Sequence, residues 1–275
     1  MTARHKRGAA LLIGSFAGLL FTLIAAVQVA GWTIGAVEHT STQVVPGPVK
    51  VLNVDAGPGD ITILPSQSAD VIVETRSKGT LQRPRVRAIK DGTNVMMSGN
   101  CPSFSLGPCH AELVLHVPVG TAVEVHSSSG DITASGVGGD LVLETNSGDV
   151  TALGVTGSVD LRTASGDVSL RGGSGRVALE SHSGDVSGGD IASELVSAET
   201  RSGDVNLEFR VPPRNVEAST ASGDVHLAVP DTAEYDVDLD TGSGDPQLGV
   251  RSDPDSPRKI HASTNSGDAS VGYRN

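Results

Sequence analysis

From Val49 onward apolar and polar residues alternate with period two, the pattern of half-buried strands. Leu52, Val54 and Ala56 lead into Pro58-Gly59-Asp60-Ile61, and Val71, Val73 and Thr75 carry the alternation on. In the C-terminal half it is punctuated by Ser-Gly-Asp-Val or a close variant. The aspartates of this tetrapeptide are Asp131, Asp149, Asp167, Asp185, Asp204, Asp224, Asp245 and Asp268, at spacings of 18, 18, 18, 19, 20, 21 and 23 residues. A near-constant period of this size marks stacked repeats, in which each unit buries its apolar face only against its neighbours.

The copies can be compared within one chain. Eight positions before each aspartate stand Val123, Leu141, Val159, Val177, Val196, Val216, Val237 and Ile260. Six before stand Val125, Leu143, Leu161, Leu179, Ala198, Ala218, Leu239 and Ala262. Four before, the residue is always hydroxylic: Ser127, Thr145, Thr163, Ser181, Thr200, Thr220, Thr241, Thr264. Each unit therefore reads as strand, tight Ser-Gly-Asp turn, second strand and return turn, the last at Gly139-Asp140 and Gly157-Ser158 in early copies. This predicts an all-β fold, a parallel β-solenoid of two sheets, whose eight rungs at roughly 4.8 Å each make a rod of about 40 Å. A β-sandwich of hairpins is the alternative. It accounts for strand length but not for one turn keeping its sequence eight times. The last copies lengthen, with Pro246 and Ala269 in place of Val or Ile, as expected near a terminal cap.

Upstream of the regular copies the period breaks. Arg83 to Ser98 carries a hairpin signal at Asp91-Gly92, followed by a loop bracketed by Cys101 and Cys109 and a strand at Leu113 to Val117. This stretch reads as an elaborated cap over the first rung, whose backbone edge would otherwise be unpaired. The expected organisation is a cytoplasmic tail over 1–8, a transmembrane anchor over 9–31, a stalk over 32–48, a cap with a first degenerate rung and the Cys loop over 49–122, and solenoid repeats over 123–275.

The anchor rests on composition. No charged residue occurs from Gly8 to Val37, and Ala9 to Ala30 is almost wholly apolar. As a helix, that run spans a hydrocarbon core of roughly 30 Å. Arg4, His5, Lys6 and Arg7 precede it and Trp32 follows at interfacial depth, so the positive-inside bias puts the N-terminus in the cytoplasm and the repeats outside. A cleaved signal peptide is the rival reading, but Gln28-Val29-Ala30 is a poor small-x-small cleavage site. The only cysteines, Cys101 and Cys109, then face an oxidising compartment. A disulfide between them is expected, contributing roughly 2–3 kcal/mol through loop closure. A metal site there would need two more ligands, and only His110 is adjacent.

The formal net charge is −12, and setting aside the three positive charges of Arg4, Lys6 and Arg7 leaves −15 for the rest. So acidic a repeat region repels nucleic acid and anionic lipid, which excludes both as its partners.

The pattern Val-x-Leu-x-Thr-x-Ser-Gly-Asp-Val, repeated after Val117-Pro118-Val119-Gly120-Thr121-Ala122-Val123-Glu124-Val125, resembles a bacterial family of membrane-anchored candidate adhesins with β-strand repeats, a domain of unknown function. The resemblance covers about residues 49 to 275. It implies a β-solenoid on the cell envelope and supplies no catalytic residues.

The chemistry of the turn has two readings. In the structural one, Gly130, Gly148, Gly166, Gly184, Gly203, Gly223, Gly244 and Gly267 take positive φ, the aspartates bond nearby backbone N–H groups, and the Ser and Thr columns form inner hydroxyl ladders. In the sharper one, Asp131, Asp149, Asp167, Asp185, Asp204 and Asp224 are Ca²⁺ ligands, since stacked carboxylates at 4.8 Å repel by roughly 0.9 kcal/mol per pair in water. Calcium β-rolls use a similar Gly-x-Asp turn, but one Asp per rung supplies few converging ligands. The structural reading is preferred, with no cofactor.

An enzyme is the reading from another class, because some parallel β-helices cleave polysaccharides. Outside the apolar N-terminal run and Trp32, the only aromatics are Phe104, Phe209, Tyr235 and Tyr273, acids occur at nearly every rung, and His182 reads as a solvated turn residue. No Gly-x-Ser-x-Gly stands in a strand-to-helix context. The expectation is a non-catalytic, adhesin-like extracytoplasmic protein. Its partners are the membrane, through the N-terminal helix, and a protein or cell-wall ligand of unknown identity. An accessory subunit of envelope-stress sensing is the other binding-type reading.

Overall fold

The structure, a computed structural model, describes residues 37–79, 85–100 and 110–274. The expected anchor at 9–31 and the expected Cys101–Cys109 disulfide lie outside these residues. Within them no helix is long and apolar enough to cross a membrane, and every regular element is a β-strand.

The N-terminal part supplies β1 (Val37–Val45), β2 (Val51–Pro58), β3 (Ile61–Ser66), β4 (Val71–Gly79), β5 (Arg85–Asp91), β6 (Asn94–Asn100) and β7 (His110–Pro118). Paired strands follow, one pair to each repeat: β8 (Ala122–Ser129) with β9 (Ile132–Ser135), β10 (Leu141–Thr145) with β11 (Val150–Leu153), and β12 (Val159–Thr163) with β13 (Val168–Arg171). Next come β14 (Val177–Ser183) with β15 (Val186–Ile191), β16 (Leu195–Ser202) with β17 (Val205–Phe209), and β18 (Asn215–Ser222) with β19 (Val225–Val229). The C-terminal end holds β20 (Asp236–Ser243) with β21 (Pro246–Leu248) and β22 (Lys259–Ser266) with β23 (Ala269–Tyr273).

Within a pair, the two strands belong to different sheets. The first strand joins an 11-stranded sheet and the second a 12-stranded sheet. From β8 onward all strand pairing is parallel, as in Leu141↔Val159 and Val150↔Val168. This excludes the hairpin sandwich, which would place both strands of a copy side by side and antiparallel. Antiparallel pairing occurs at the N-terminal end, where β4 lies between β1 and β7 and where β5 and β6 form the hairpin expected at Asp91-Gly92. Eleven strands at roughly 4.8 Å spacing make a stack of about 48 Å. It is longer than the eight repeats alone require, because the N-terminal segment adds rungs of its own.

The alternation decides which side chains meet. Leu143, Leu161 and Leu179 from one sheet and Val150, Val168 and Leu170 from the other are buried between the two. Each fully buried aliphatic side chain contributes roughly 1.5–3 kcal/mol. Every rung therefore depends on the apolar residues of the rungs beside it more than on its own.

At both ends, stacking order departs from chain order. The β2–β3 rung sits between the β8–β9 rung and the later strands β6 and β7. At the other end the last segment, β22–β23, inserts between the β18–β19 rung and β20–β21. The rung of Asp245 is thus the outermost, and that of Asp268 lies inside it. The chain runs out to the end and tucks back one rung, which is why the last spacings lengthen.

Candidate functional site

The repeated turn builds a continuous ladder on one corner of the rod. Gly166 has a φ of 141°, and a Cβ there would lie 2.2 Å from the Gly148 carbonyl oxygen of the neighbouring rung. Only glycine meets both demands. The other seven glycines expected to form these turns also have positive φ, between 110° and 150°. On the return corner, a Cβ at Gly157 would lie 2.3 Å from the Gly139 carbonyl oxygen, so the backbones stack there as closely.

Between successive turns the hydrogen bonds reverse direction. The Gly166 N–H donates to the Ser183 carbonyl at 2.9 Å and the Val168 N–H to the Asp185 carbonyl at 2.9 Å. The intervening Asp185 N–H points the other way and donates to Asp167 Oδ1 at 2.8 Å. The same carboxylate–amide bond joins Asp60 to Asp131, Asp131 to Asp149, and Asp149 to Asp167. It continues from Asp185 to Asp204, then to Asp224, to Asp268 and finally to Asp245, at 2.8–2.9 Å. Each carboxylate except that of the outermost Asp245 accepts the one turn amide of the neighbouring rung that the strand ladder leaves unpaired. An N–H dipole thereby stands between successive negative charges and offsets part of their repulsion.

The hydroxylic column behaves differently from the expected hydroxyl ladder. Thr163 Oγ1 donates to the Gly148 carbonyl at 3.0 Å and Ser181 Oγ to that of Gly166 at 2.9 Å. Thr200, Thr220 and Thr264 do the same to Gly184, Gly203 and Gly223, each at 2.9 Å. The side chain bonds the neighbouring turn rather than another hydroxyl. The reason is geometric: the turn carbonyl is a better-placed acceptor, and burying it without a donor would be costly.

The six aspartates considered as Ca²⁺ ligands thus each commit Oδ1 to a backbone amide. Among the described residues, no three His, Cys, Asp or Glu side chains gather closely enough to hold a metal ion.

The outer faces of the two sheets differ in chemistry. On the 12-stranded sheet, the column facing solvent just after the turn runs Thr62, Thr133, Thr151, Ser169, Ser187, Asn206, His226, Ser270 and Gln247. On the 11-stranded sheet, one column runs Glu124, Val142, Asp160, Ala178, Ser197, Glu217, His261 and Asp238. Its neighbour runs His126, Glu144, Arg162, Glu180, Glu199, Ser219, Ser263 and Asp240. Two basic side chains lie among these acids, and the Arg162 guanidinium offsets part of their charge. Arg162 bonds Asp160 Oδ2 at 2.7 Å and reaches Glu180 at 3.3 Å. His126 lies 2.9 Å from Glu124 and 3.2 Å from Glu144. Asp160 Oδ1 is buried with no hydrogen-bond partner. Burial pushes its carboxyl above the usual carboxylate range, against the pull of Arg162.

Toward the C-terminal end a groove of about 290 Å³ is lined by Glu217, Asp236, Asp238, Lys259, Ile260 and His261. Nδ1 of His261 stands 3.0 Å from Asp238, and Nζ of Lys259 stands 3.4 Å from Asp236. Beside it, Tyr235 is fully buried and donates to the Pro230 carbonyl at 2.8 Å. Burial raises its phenol to about 12, so it acts as a packed corner. The groove is shallow and carries no nucleophile with an adjacent base.

A ladder of this kind identifies a fold more readily than a reaction. The family profile described as Toastrack DUF4097 matches residues 49–274. The chain belongs to the Toastrack family. Among solved structures, a candidate adhesin from Bacteroides fragilis is similar with a TM-score of 0.53 at 15% identity, over 85% of this Toastrack chain and 97% of that one. A candidate adhesin from Parabacteroides distasonis gives a TM-score of 0.47 at 10% identity, over 85% and 97% of the two chains. A candidate cell adhesion protein from Clostridium sporogenes gives 0.32 at 10% identity, over 86% and 100%. At 15% identity the likeness to the Bacteroides fragilis structure concerns the fold alone. The search of curated proteins found no match.

Two features escaped the sequence reading. One is the inserted final rung, hinted at only by the longer spacings. The other is Asp190, whose φ of 54° makes it the one non-glycine at positive φ among the described residues. Its carboxylate accepts from Arg274 at 2.7 Å and from Arg171 at 3.5 Å, and the Arg274 bond holds it below the usual carboxylate range.

Proposed function

We propose that this Toastrack protein is a non-catalytic, adhesin-like binding protein of the cell envelope. A helix over residues 9–31 anchors it, and its repeats stand outside the membrane. The observation that carries this reading is the acidic outer face of the 11-stranded sheet. Glu199, Glu217 and Asp240 are partly or fully exposed there and have no ion-pair partner among the described residues. A rigid sheet that holds fixed negative charges in rows selects a positively charged ligand, a protein or a cell-wall polymer, and draws it in from a distance.

Nothing in the arrangement calls for chemistry. The repeat aspartates other than Asp245 are spent on backbone amides, and His116, His126 and His261 lie beside carboxylates on an open surface. Among the described residues the one hydroxyl–imidazole contact, His226 Nδ1 with Ser270 Oγ at 2.8 Å, is exposed on the outer face of the other sheet. Cross-linking the intact protein in its native membrane, before and after the triple substitution Glu199→Gln, Glu217→Gln and Asp240→Asn, tests the reading. Loss of the cross-linked partner, with the same partner released by salt from the wild type, is the expected result. A cross-linked partner that neither salt nor the substitutions affect would overturn it.

A further inference from the structure

The 11-stranded sheet ends in two edge strands of opposite character, β20 at the C-terminal end and β5 at the N-terminal end. On β20 the acids Asp236, Asp238 and Asp240 alternate with Val237 and Leu239. Those two apolar residues pack on the core yet remain half-buried. In the rungs behind them, the equivalent positions Val216 and Ile260 are 1% exposed. On β5 the sequence is Arg85-Val86-Arg87-Ala88-Ile89-Lys90-Asp91, with Val86 and Ala88 half-buried against the core and Arg87 facing solvent. Among the described residues, each end thus presents a rung whose apolar side is only half-buried, bordered by acids at one end and by cations at the other.

We infer that copies of this chain associate end to end, the acidic β20 of one against the basic β5 of the next. This does not rest on the ligand proposed above. Backbone direction and side-chain alternation both permit it. The parallel sheet runs in one direction to β20, whereas β5 is antiparallel to its neighbour β6 and so to the sheet, which makes the contact an antiparallel pair. A register with Leu239 opposite Val86 and Val237 opposite Ala88 buries the apolar pairs on the core side. It also sets Asp238 opposite Arg87 on the solvent side.

The hydrogen-bonding groups agree with this register. Asp236 gives its N–H to the Arg258 carbonyl on the inner side, so Val237 and Leu239 turn their backbone groups to the free edge. In the β5–β6 hairpin, with Asp91 opposite Asn94 across a two-residue turn, Val86 and Ala88 do likewise. Among the described residues, the Val86 carbonyl is met there only by the exposed Gln43 amide at 3.4 Å. Asp91 falls beyond the start of β20 and opposes no strand residue.

The charges also dictate polarity. Acid against acid, or base against base, would repel across a paired edge, as charged edge strands commonly do to block self-pairing. Head-to-head contact is therefore blocked and head-to-tail contact is favoured. Such a contact is heterologous and leaves both outer ends free, so it extends into a row of copies. The other sheet offers apolar groups at the same two ends. Val44 on β1 is 59% exposed and Leu248 on β21 is 50% exposed.

Sedimentation velocity on the full chain in mild detergent tests the inference. The variants are Asp238→Arg and Arg87→Asp, each checked for unchanged β-sheet circular dichroism. The wild type is expected to gain species of about twofold or greater mass as concentration rises, dispersed by salt. Each single variant should stay at single-chain mass, and an equimolar mixture of the two should assemble again, because each supplies the charge the other has reversed. A wild type that remains at single-chain mass at every concentration overturns the proposal. So does assembly that survives both single reversals and high salt.

Discussion

The central rungs and the outermost C-terminal rung carry the same tetrapeptide in different surroundings. In the β12–β13 rung, Thr163 is 3% exposed and donates to the Gly148 carbonyl of the neighbouring rung at 3.0 Å. Asp167 accepts the Asp185 amide at 2.8 Å, and Leu161 is fully buried. In the β20–β21 rung, Thr241 turns its hydroxyl to Gly244 of its own turn at 3.1 Å. Among the described residues no further rung offers an amide to the Asp245 carboxylate, and Leu239 is only half-buried. The tetrapeptide sets the shape of the turn, and its stability is lent by the rung stacked on it, as nearest-neighbour coupling in solenoids requires.

Substitutions can break this comparison in graded steps. Gly166→Ala is expected to be the most severe, on the order of 4 kcal/mol, because it combines disallowed φ with a backbone collision. Gly92→Ala, in the open turn of the N-terminal hairpin with nothing near its Cβ position, should cost about 1 kcal/mol. Urea titration of the two variants reads the contrast directly. Next, Leu161→Ala should cost about 2–5 kcal/mol and Leu239→Ala about 1 kcal/mol, as shifts in thermal midpoint. Asp167→Ala, which strands a turn amide, should cost about 1–2 kcal/mol, whereas Asp245→Ala should stay within about 0.5 kcal/mol. If the paired variants lose equal stability, neighbour coupling is not what holds the rod.

The smallest expected effect concerns pH. Asp190 has its folded pKa lowered, chiefly by the hydrogen bond from Arg274. Its contribution is present above the unfolded carboxylate range and is lost as pH falls through the lowered folded value. Asp190→Asn should therefore narrow the gap between stability at neutral and at acid pH, seen as a shallower acid limb in the thermal midpoint. Asp160 runs the other way. With its folded pKa raised by burial, its stabilising contribution is present at low pH and lost as pH rises, so Asp160→Asn should lose least at neutral pH.

Much of the fold was legible because a two-residue alternation and a positive-φ turn leave few alternatives. The columns counted back from each aspartate, such as Val159 and Leu161, are the columns that pair Leu141↔Val159↔Val177 and Leu143↔Leu161↔Leu179. The order of the last rungs was not legible. Asp245 and Asp268 carry the same local signal, and a turn that repeats eight times does not say which copy it stacks on. The hydroxyl's partner was hidden for a related reason. Thr163 can serve a hydroxyl or a carbonyl, and only the distance between rungs selects the Gly148 carbonyl. The charge contrast between the edges of β5 and β20 was written in the sequence, but it acquires meaning only once both are known to be edges of one sheet.

The central claim is that the repeat aspartates are structural acceptors for the amides of the next rung. Residue-resolved hydrogen exchange of the turn amides tests it most directly. These turns lie at the surface, with Asp149, Asp167, Asp185, Asp204 and Asp224 exposed, so an unbonded amide there would exchange as a loop does. The account predicts strong protection of the Asp167, Asp185, Asp204 and Asp224 amides, selectively weakened at Asp185 by Asp167→Ala, with the terminal Asp245 amide the least protected. Loop-like exchange of the central amides in the wild type would contradict it.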